Sequence, residues 1–275
     1  MMTPTQWCRW AVERYNNIDD HDVAFLAAHV IGCKRAYLPF AEFCHDNVSK
    51  LNHMLMRLVG GEPLAYIIGE TEFMGMTFLV NPHVLIPRSD TEWWVSALLE
   101  NWQGPAPERI LDLGTGSGVI LASCLRRFSD ASGLGVDCHD GAIGLAQENL
   151  ENLGLSQRGR ITRSHWFSDV RGVFDLIVAN PPYIAYDDMR IQPNVKTFEP
   201  SVALFSCDDG LKDLRQIVLH AQNYMNQDSK LVIEFGRGQE HDVFELAQQG
   251  GFKKTSFLLD GAGYQRAIMC EMVLA

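Results

Sequence analysis

The chain has 275 residues, 47% hydrophobic and 21% charged, with a formal net charge of −11. That length fits one large domain or a large and a small one, and the acidic balance argues against a partner bound through phosphates, so no direct nucleic-acid contact is expected. No apolar run reaches the roughly 18 residues of a membrane span, so no membrane association is expected. The seven cysteines and nine histidines show neither C-x-x-C nor H-x-x-x-H spacing, which disfavours both a disulfide framework and a metal site.

Met1 to Asn17 carries Arg9, Glu13 and Arg14 and lacks the apolar core of a secretory leader, so a cytoplasmic location is expected. Residues up to about 72 are predicted to be helical. Val23, Leu26, Ala27, Val30 and Ile31 recur at helical spacing after an acidic start, Asp19 to Asp22. Leu51, Met54, Leu55, Leu58 and Val59 do so after Ser49, a candidate N-cap, and Gly60-Gly61 closes that helix. From Met76 to Ile86 the chain is rich in apolar and β-branched residues, and Asn81-Pro82-His83 interrupts it, which predicts a hairpin-like pair of strands. A helix follows over Trp93 to Trp102, with Ser89 or Asp90 as its cap and Glu92 in its first turn.

From Gly104 onward strands and helices alternate. Arg109 to Leu113 is a short apolar strand, Gly114-Thr115-Gly116-Ser117-Gly118 a glycine loop, and Val119 to Phe128 a helix. A second strand ends in Asp137, nineteen residues past Gly118, and a helix runs from Gly141 to Leu153. This order is the nucleotide-binding half of a doubly wound α/β sheet. The glycines let backbone approach a ligand, and Asp137 stands where an acid would accept ribose hydroxyls. A dinucleotide fingerprint needs a third glycine where Val119 stands. The Asp-x-Gly-x-Gly-x-Gly run from Asp112 instead resembles the first motif of Rossmann-like methyltransferases that use S-adenosylmethionine.

Phe174 to Ala179 reads as a buried strand that two prolines stop abruptly, giving Asn180-Pro181-Pro182-Tyr183. This loop is similar to that of enzymes that methylate planar, amide-like nitrogens on adenine or glutamine. Such a nitrogen shares its lone pair with a π system and is a weak nucleophile. The Asn180 side-chain oxygen and the Pro181 carbonyl could accept its two N–H groups and share the charge that develops. Tyr183 would pack against the flat group, and catalysis would be positioning plus preorganised dipoles. Leu231 to Gly236 reads as a fifth strand ended by a glycine turn, with Glu234 supporting its end. Thr255–Leu259 and Ala267–Val273 read as a closing pair.

The whole chain resembles the HemK-type glutamine methyltransferases. The resemblance rests on Gly61-Glu62-Pro63-Leu64-Ala65-Tyr66-Ile67-Ile68-Gly69, Leu85-Ile86-Pro87-Arg88-Ser89-Asp90-Thr91-Glu92, Asn180 to Ile184, and Phe198-Glu199-Pro200. It implies a mostly parallel seven-stranded sheet of the class I kind, with a small helical domain over 1–72, a hairpin linker over 73–92 and a methyltransferase domain over 93–275. It implies that Gly114, Thr115, Gly116, Ser117, Gly118, Asp137, Trp166 and Asn180 contact S-adenosylmethionine, and that Asn180, Pro181, Pro182 and Tyr183 clamp a glutamine. The implied partner is the Gly-Gly-Gln loop of a peptide-chain release factor, docked partly on the helical domain, with the enzyme a monomer. His165 departs from the family's usual Asp before the Trp. A relative acting on a ribosomal protein, an adenine methyltransferase and a non-catalytic cofactor-binding adaptor remain as alternatives.

Overall fold

The structure, a computed structural model, describes residues 2–272. It divides into two compact units, Met1–Glu70 with Gln192–Phe198, and Thr71–Ile191 with Glu199–Ala275. Among the described residues no helix is long and apolar enough to cross a membrane.

The first unit is helical. Helix α1 (Pro4–Arg14) opens with a capping box between Thr3 and Gln6, and α2 (Asp20–Ile31) starts at Asp19, whose side chain accepts the His21 N–H at 2.7 Å. Helix α3 (His45–Val59) begins before Ser49, which therefore lies inside it and caps nothing. Helix α4 (Leu64–Ile68) follows Gly61, whose φ of +85° turns the chain. Trp7, Leu26, Leu51 and Leu55 bury the inward stripes of α1, α2 and α3 in one apolar core.

A hairpin of β1 (Glu70–Phe73) and β2 (Met76–Leu79) comes next. Its turn is Met74-Gly75, with φ of +52° and +67°, and not the Asn81-Pro82-His83 that the sequence singles out. Two successive positive φ values match the twist of a two-residue hairpin, and a methionine there carries no sequence signal. Helix α5 (Ser89–Glu100) starts one turn earlier than its apolar run. Its N-cap is Arg88, without a side-chain bond, so neither Ser89 nor Asp90 caps it.

The second unit is built on seven strands: β3 (Arg109–Leu113), β4 (Ser132–Asp137), β5 (Gly159–Arg163), β6 (Phe174–Ala179), β7 (Met225–Glu234), β8 (Lys254–Leu259) and β9 (Gln265–Glu271). Their spatial order is β5-β4-β3-β6-β7-β9-β8. Only β9 runs antiparallel to its neighbours, slotted between β7 and β8. Val273, expected at the end of β9, lies outside the described residues. Helices α6 (Val119–Arg127) and α7 (Asp140–Asn152) connect β3 to β5. After β6 the chain runs through α8 (Pro193–Phe198), part of the first unit, then α9 (Ser201–Leu204) and α10 (Lys212–Ala221) to β7, and α11 (Glu240–Gln249) links β7 to β8.

Alternation along each strand splits the core in two. Ile110, Leu176, Val178 and Val232 face α5 and α6, whereas Leu111, Ile177, Leu231 and Ile233 face α10 and α11. Chain order reverses between β3 and β6, which pair directly. In such sheets the carboxyl ends of the strands at this reversal open a crevice for ligands.

Candidate active site

A cavity of about 290 Å³ opens at that reversal, lined by the loops after β3, β4 and β6 and by residues 83–87 and 200–205. The loop after β3 is held from below. Asp112, 1% exposed, accepts from the Thr115 hydroxyl at 2.7 Å and from the Leu121 N–H at 3.2 Å. Its Oδ1 is buried without a hydrogen-bond partner in the described structure. Burial, opposed by those two bonds and reinforced by Asp137, pushes its carboxyl up to about 7. Asn149 fixes the loop from the side, donating to the Ser117 and Leu79 carbonyls and accepting the Leu79 N–H.

Gly114 needs to be glycine on two counts. Its φ is +69°, and a Cβ there would lie 3.1 Å from the Trp166 ring. That ring is pinned by its Nε1, which donates to Asp213 Oδ1 at 3.0 Å, while Asp213 Oδ2 accepts from Ser206 at 2.6 Å. Asp137 stands at the end of β4. Its oxygens accept the Gly116 and His139 N–H groups at 3.1 and 3.0 Å, each keeping a further lone pair.

Asn180 follows β6 directly, half-buried at the cavity wall, and its Nδ2 donates to Thr91 Oγ1 at 3.2 Å. Thr91 donates to Glu234 Oε2 at 2.7 Å, Trp94 donates to the same oxygen at 2.6 Å, and the Tyr183 hydroxyl donates to Glu234 Oε1 at 3.0 Å. Burial and the Glu234 charge push the Tyr183 phenol well above its usual range, so it stays protonated. Burial also raises the Glu234 carboxyl, against the pull of its three donors.

The structure thus brings Gly114, Thr115, Gly116, Ser117, Asp137, Trp166, Asn180 and Pro182 to one cavity. Gly118, Pro181 and Tyr183 do not line it. Gly118, at φ +84°, packs against Ala146 behind the loop, Pro181 is buried, and Tyr183 lies toward Glu234 and Gly236. His165 does line it. Sequence reading missed Thr91 and Asp213, which reach the cavity from α5 and α10. It also left Glu199 without a role. That carboxylate, 5% exposed, accepts from the Ile86 N–H at 3.1 Å and from Arg88 at 2.5 Å, and so clasps together two segments of the cavity wall.

A glycine cradle tight against an aromatic ring, with an acid at the end of the next strand, fits a ligand carrying a ribose and a flat base. With the β5-β4-β3-β6-β7-β9-β8 sheet, it defines the fold of the class I methyltransferases that use S-adenosylmethionine. Solved structures agree on the fold. A methyltransferase from Pyrococcus furiosus aligns with a TM-score of 0.55 at 14% identity, covering 84% of this chain and all of that one. A T. thermophilus 16S rRNA N2 G1207 methyltransferase aligns at 0.54 and 20% identity, over 74% of this chain and 50% of that one.

Two family models match, a PrmC N-terminal domain over residues 6–69 and a methyltransferase small domain over 91–204. Release factor glutamine methyltransferases from Buchnera aphidicola and Francisella tularensis are 33% and 31% identical to it. The first aligns over 92% of this chain and 91% of its own length, the second over 94% of each. That of Geobacter sulfurreducens is 38% identical, over 81% of this chain and 78% of its own length. The chain belongs to the release factor glutamine methyltransferase family.

Proposed function

We propose that this protein transfers a methyl group from S-adenosylmethionine to the side-chain amide nitrogen of the glutamine in the Gly-Gly-Gln loop of a peptide-chain release factor. The observation that carries the reading is the carboxamide of Asn180, tied back through its nitrogen to Thr91 so that its oxygen remains to meet an incoming N–H. Gly114, Gly116 and Ser117 would cradle the cofactor's amino-acid end, Asp137 its ribose and Trp166 its flat base. When bound, the cofactor supplies an electrophilic sulfonium methyl. Asn180 Oδ1 accepts one N–H of the glutamine amide, which aims the nitrogen and stabilises its developing positive charge. The Pro181 carbonyl expected to accept the other belongs to a buried residue outside the cavity lining and has no part in this step. The two prolines keep that loop stiff, and Tyr183, held by Glu234, braces it from behind.

The test is transfer of label from S-adenosylmethionine to a full-length release factor, run beside a variant with its loop glutamine changed to alanine and beside duplex DNA. Label on the unmodified factor alone is the expected result. Label on the glutamine-free variant or on DNA overturns the reading.

A further inference from the structure

An asparagine side chain has nearly the same shape whichever way its amide is turned, so only hydrogen bonding decides which end faces a ligand. Here the decision is made two residues away. The indole N–H of Trp94 can only donate, and an ionised carboxylate can only accept, so Glu234 receives Trp94, Thr91 and Tyr183 on its two oxygens. Thr91 has one proton, and it is committed to Glu234 at 2.7 Å. Toward Asn180 the Thr91 oxygen therefore offers only a lone pair. The Asn180 amide must turn its NH2 to Thr91 and leave its carbonyl oxygen for the cavity.

Burial makes this polarity binding. Thr91 is 2% and Glu234 1% exposed, so water cannot stand in for a missing partner. The fold supplies the geometry from three elements: Thr91 in the first turn of α5, Asn180 past the end of β6, and Glu234 at the end of the adjoining β7, where Ala179 pairs with Ile233.

We infer that Thr91 and Glu234 are positioning residues that select the acceptor-out orientation of the Asn180 carboxamide, so that the site receives a substrate NH2 rather than opposing it with another. This rests on Asn180 being the acceptor for the methylated amide. With the relay broken, a turned amide sets donor against donor and the nitrogen is no longer held.

The test compares Thr91→Val, which keeps the shape and loses the hydroxyl, with Thr91→Ser, which restores it. The readouts are kcat and KM for methylation of a full-length release factor, and the Kd for S-adenosylhomocysteine by calorimetry. Thr91→Val is expected to lower kcat at least tenfold with that Kd within twofold of wild type, and Thr91→Ser to recover kcat to within threefold. Thr91→Ala serves as a second hydroxyl-free variant should Thr91→Val fail to fold. An aspartate at position 180 has oxygen at both ends, so in an Asn180→Asp background Thr91→Val should lower kcat by less than threefold. A Thr91→Val enzyme with kcat within twofold of wild type overturns the inference, and so do Thr91→Val and Thr91→Ser losing equally, which would mark a packing role. Asn180→Ala separates the two layers. If it is impaired while Thr91→Val is not, the relay alone falls, and if it is fully active the acceptor reading falls as well.

Discussion

The proposed function concentrates the chemistry at Asn180, and its replacement is the sharpest single-residue measurement. Preorganised dipoles that meet a developing charge are worth on the order of 3 kcal/mol each, or about a hundredfold in rate. Asn180→Ala is therefore expected to lower kcat for release-factor methylation by about two orders of magnitude. Cofactor affinity should change little, because Asp137, Trp166 and the glycine loop remain. A rate near wild type would remove the side chain from the mechanism. Asp112 makes a different prediction, on stability. Its carboxyl is pushed up to about 7 by burial, from an ordinary value near 3.8. The folded state thus holds a proton that the unfolded chain releases, and this contribution is complete below pH 4 and lost as pH climbs to 7. Asp112→Asn should flatten that slope, which reaches at most about 1.4 kcal/mol per pH unit and sums to on the order of 4 kcal/mol. Urea melts of both proteins at pH 5 and pH 8 decide it, since parallel shifts in the two would exclude Asp112 as the source.

At the scale of elements, the cavity depends on segments that are far apart in sequence being clasped together, and Glu199 is the clearest case. It joins the wall segment before α5 to the one that opens α9 through Ile86 and Arg88. Glu199→Ala leaves the partly buried Ile86 N–H unpaired and frees the half-exposed Arg88, at a cost of about 1–3 kcal/mol. A lower melting temperature and weaker S-adenosylhomocysteine binding should appear together. An unchanged Kd would confine Glu199 to stability. The same distances explain what the sequence could and could not disclose. The strands β3, β4, β6 and β7, their glycine turn and the Asn-Pro-Pro-Tyr loop are legible because turn chemistry and apolar runs are local. Strand β5, at the sheet edge, reads Gly-Arg-Ile-Thr-Arg and gives no apolar run. The bonds from Thr91 and Trp94 to Glu234 span 143 and 140 residues, and no spacing rule announces them. Tyr183 shows the reverse case. Its place beside Asn180 in sequence points to the ligand, yet its hydroxyl is drawn to a buried carboxylate on the next strand.

At the scale of the molecule, every residue that lines the described cavity belongs to the second unit, and a family model of its own matches the first. The function proposed above would leave the first unit to hold the release factor. On that proposal the cavity would take one glutamine side chain, and the rest of the release factor's surface would be free to be held elsewhere. The first unit presents large apolar side chains to solvent, among them Phe40 at 85% and Tyr37 at 59% exposure. Both lie on the 3₁₀ turn Arg35–Phe40, where positions three apart share a face. Exposed aromatic side chains on one face are the kind of anchor that dominates protein recognition, each worth about 1–2 kcal/mol when buried against a partner. Changing Phe40 to serine should thus raise KM for a full-length release factor by roughly tenfold while kcat holds. Methylation of a short Gly-Gly-Gln peptide, which reaches only the cavity, should proceed as in wild type. Equal losses on both substrates would mean that the change disturbs the fold, and no loss on either would place the docking surface elsewhere on the chain.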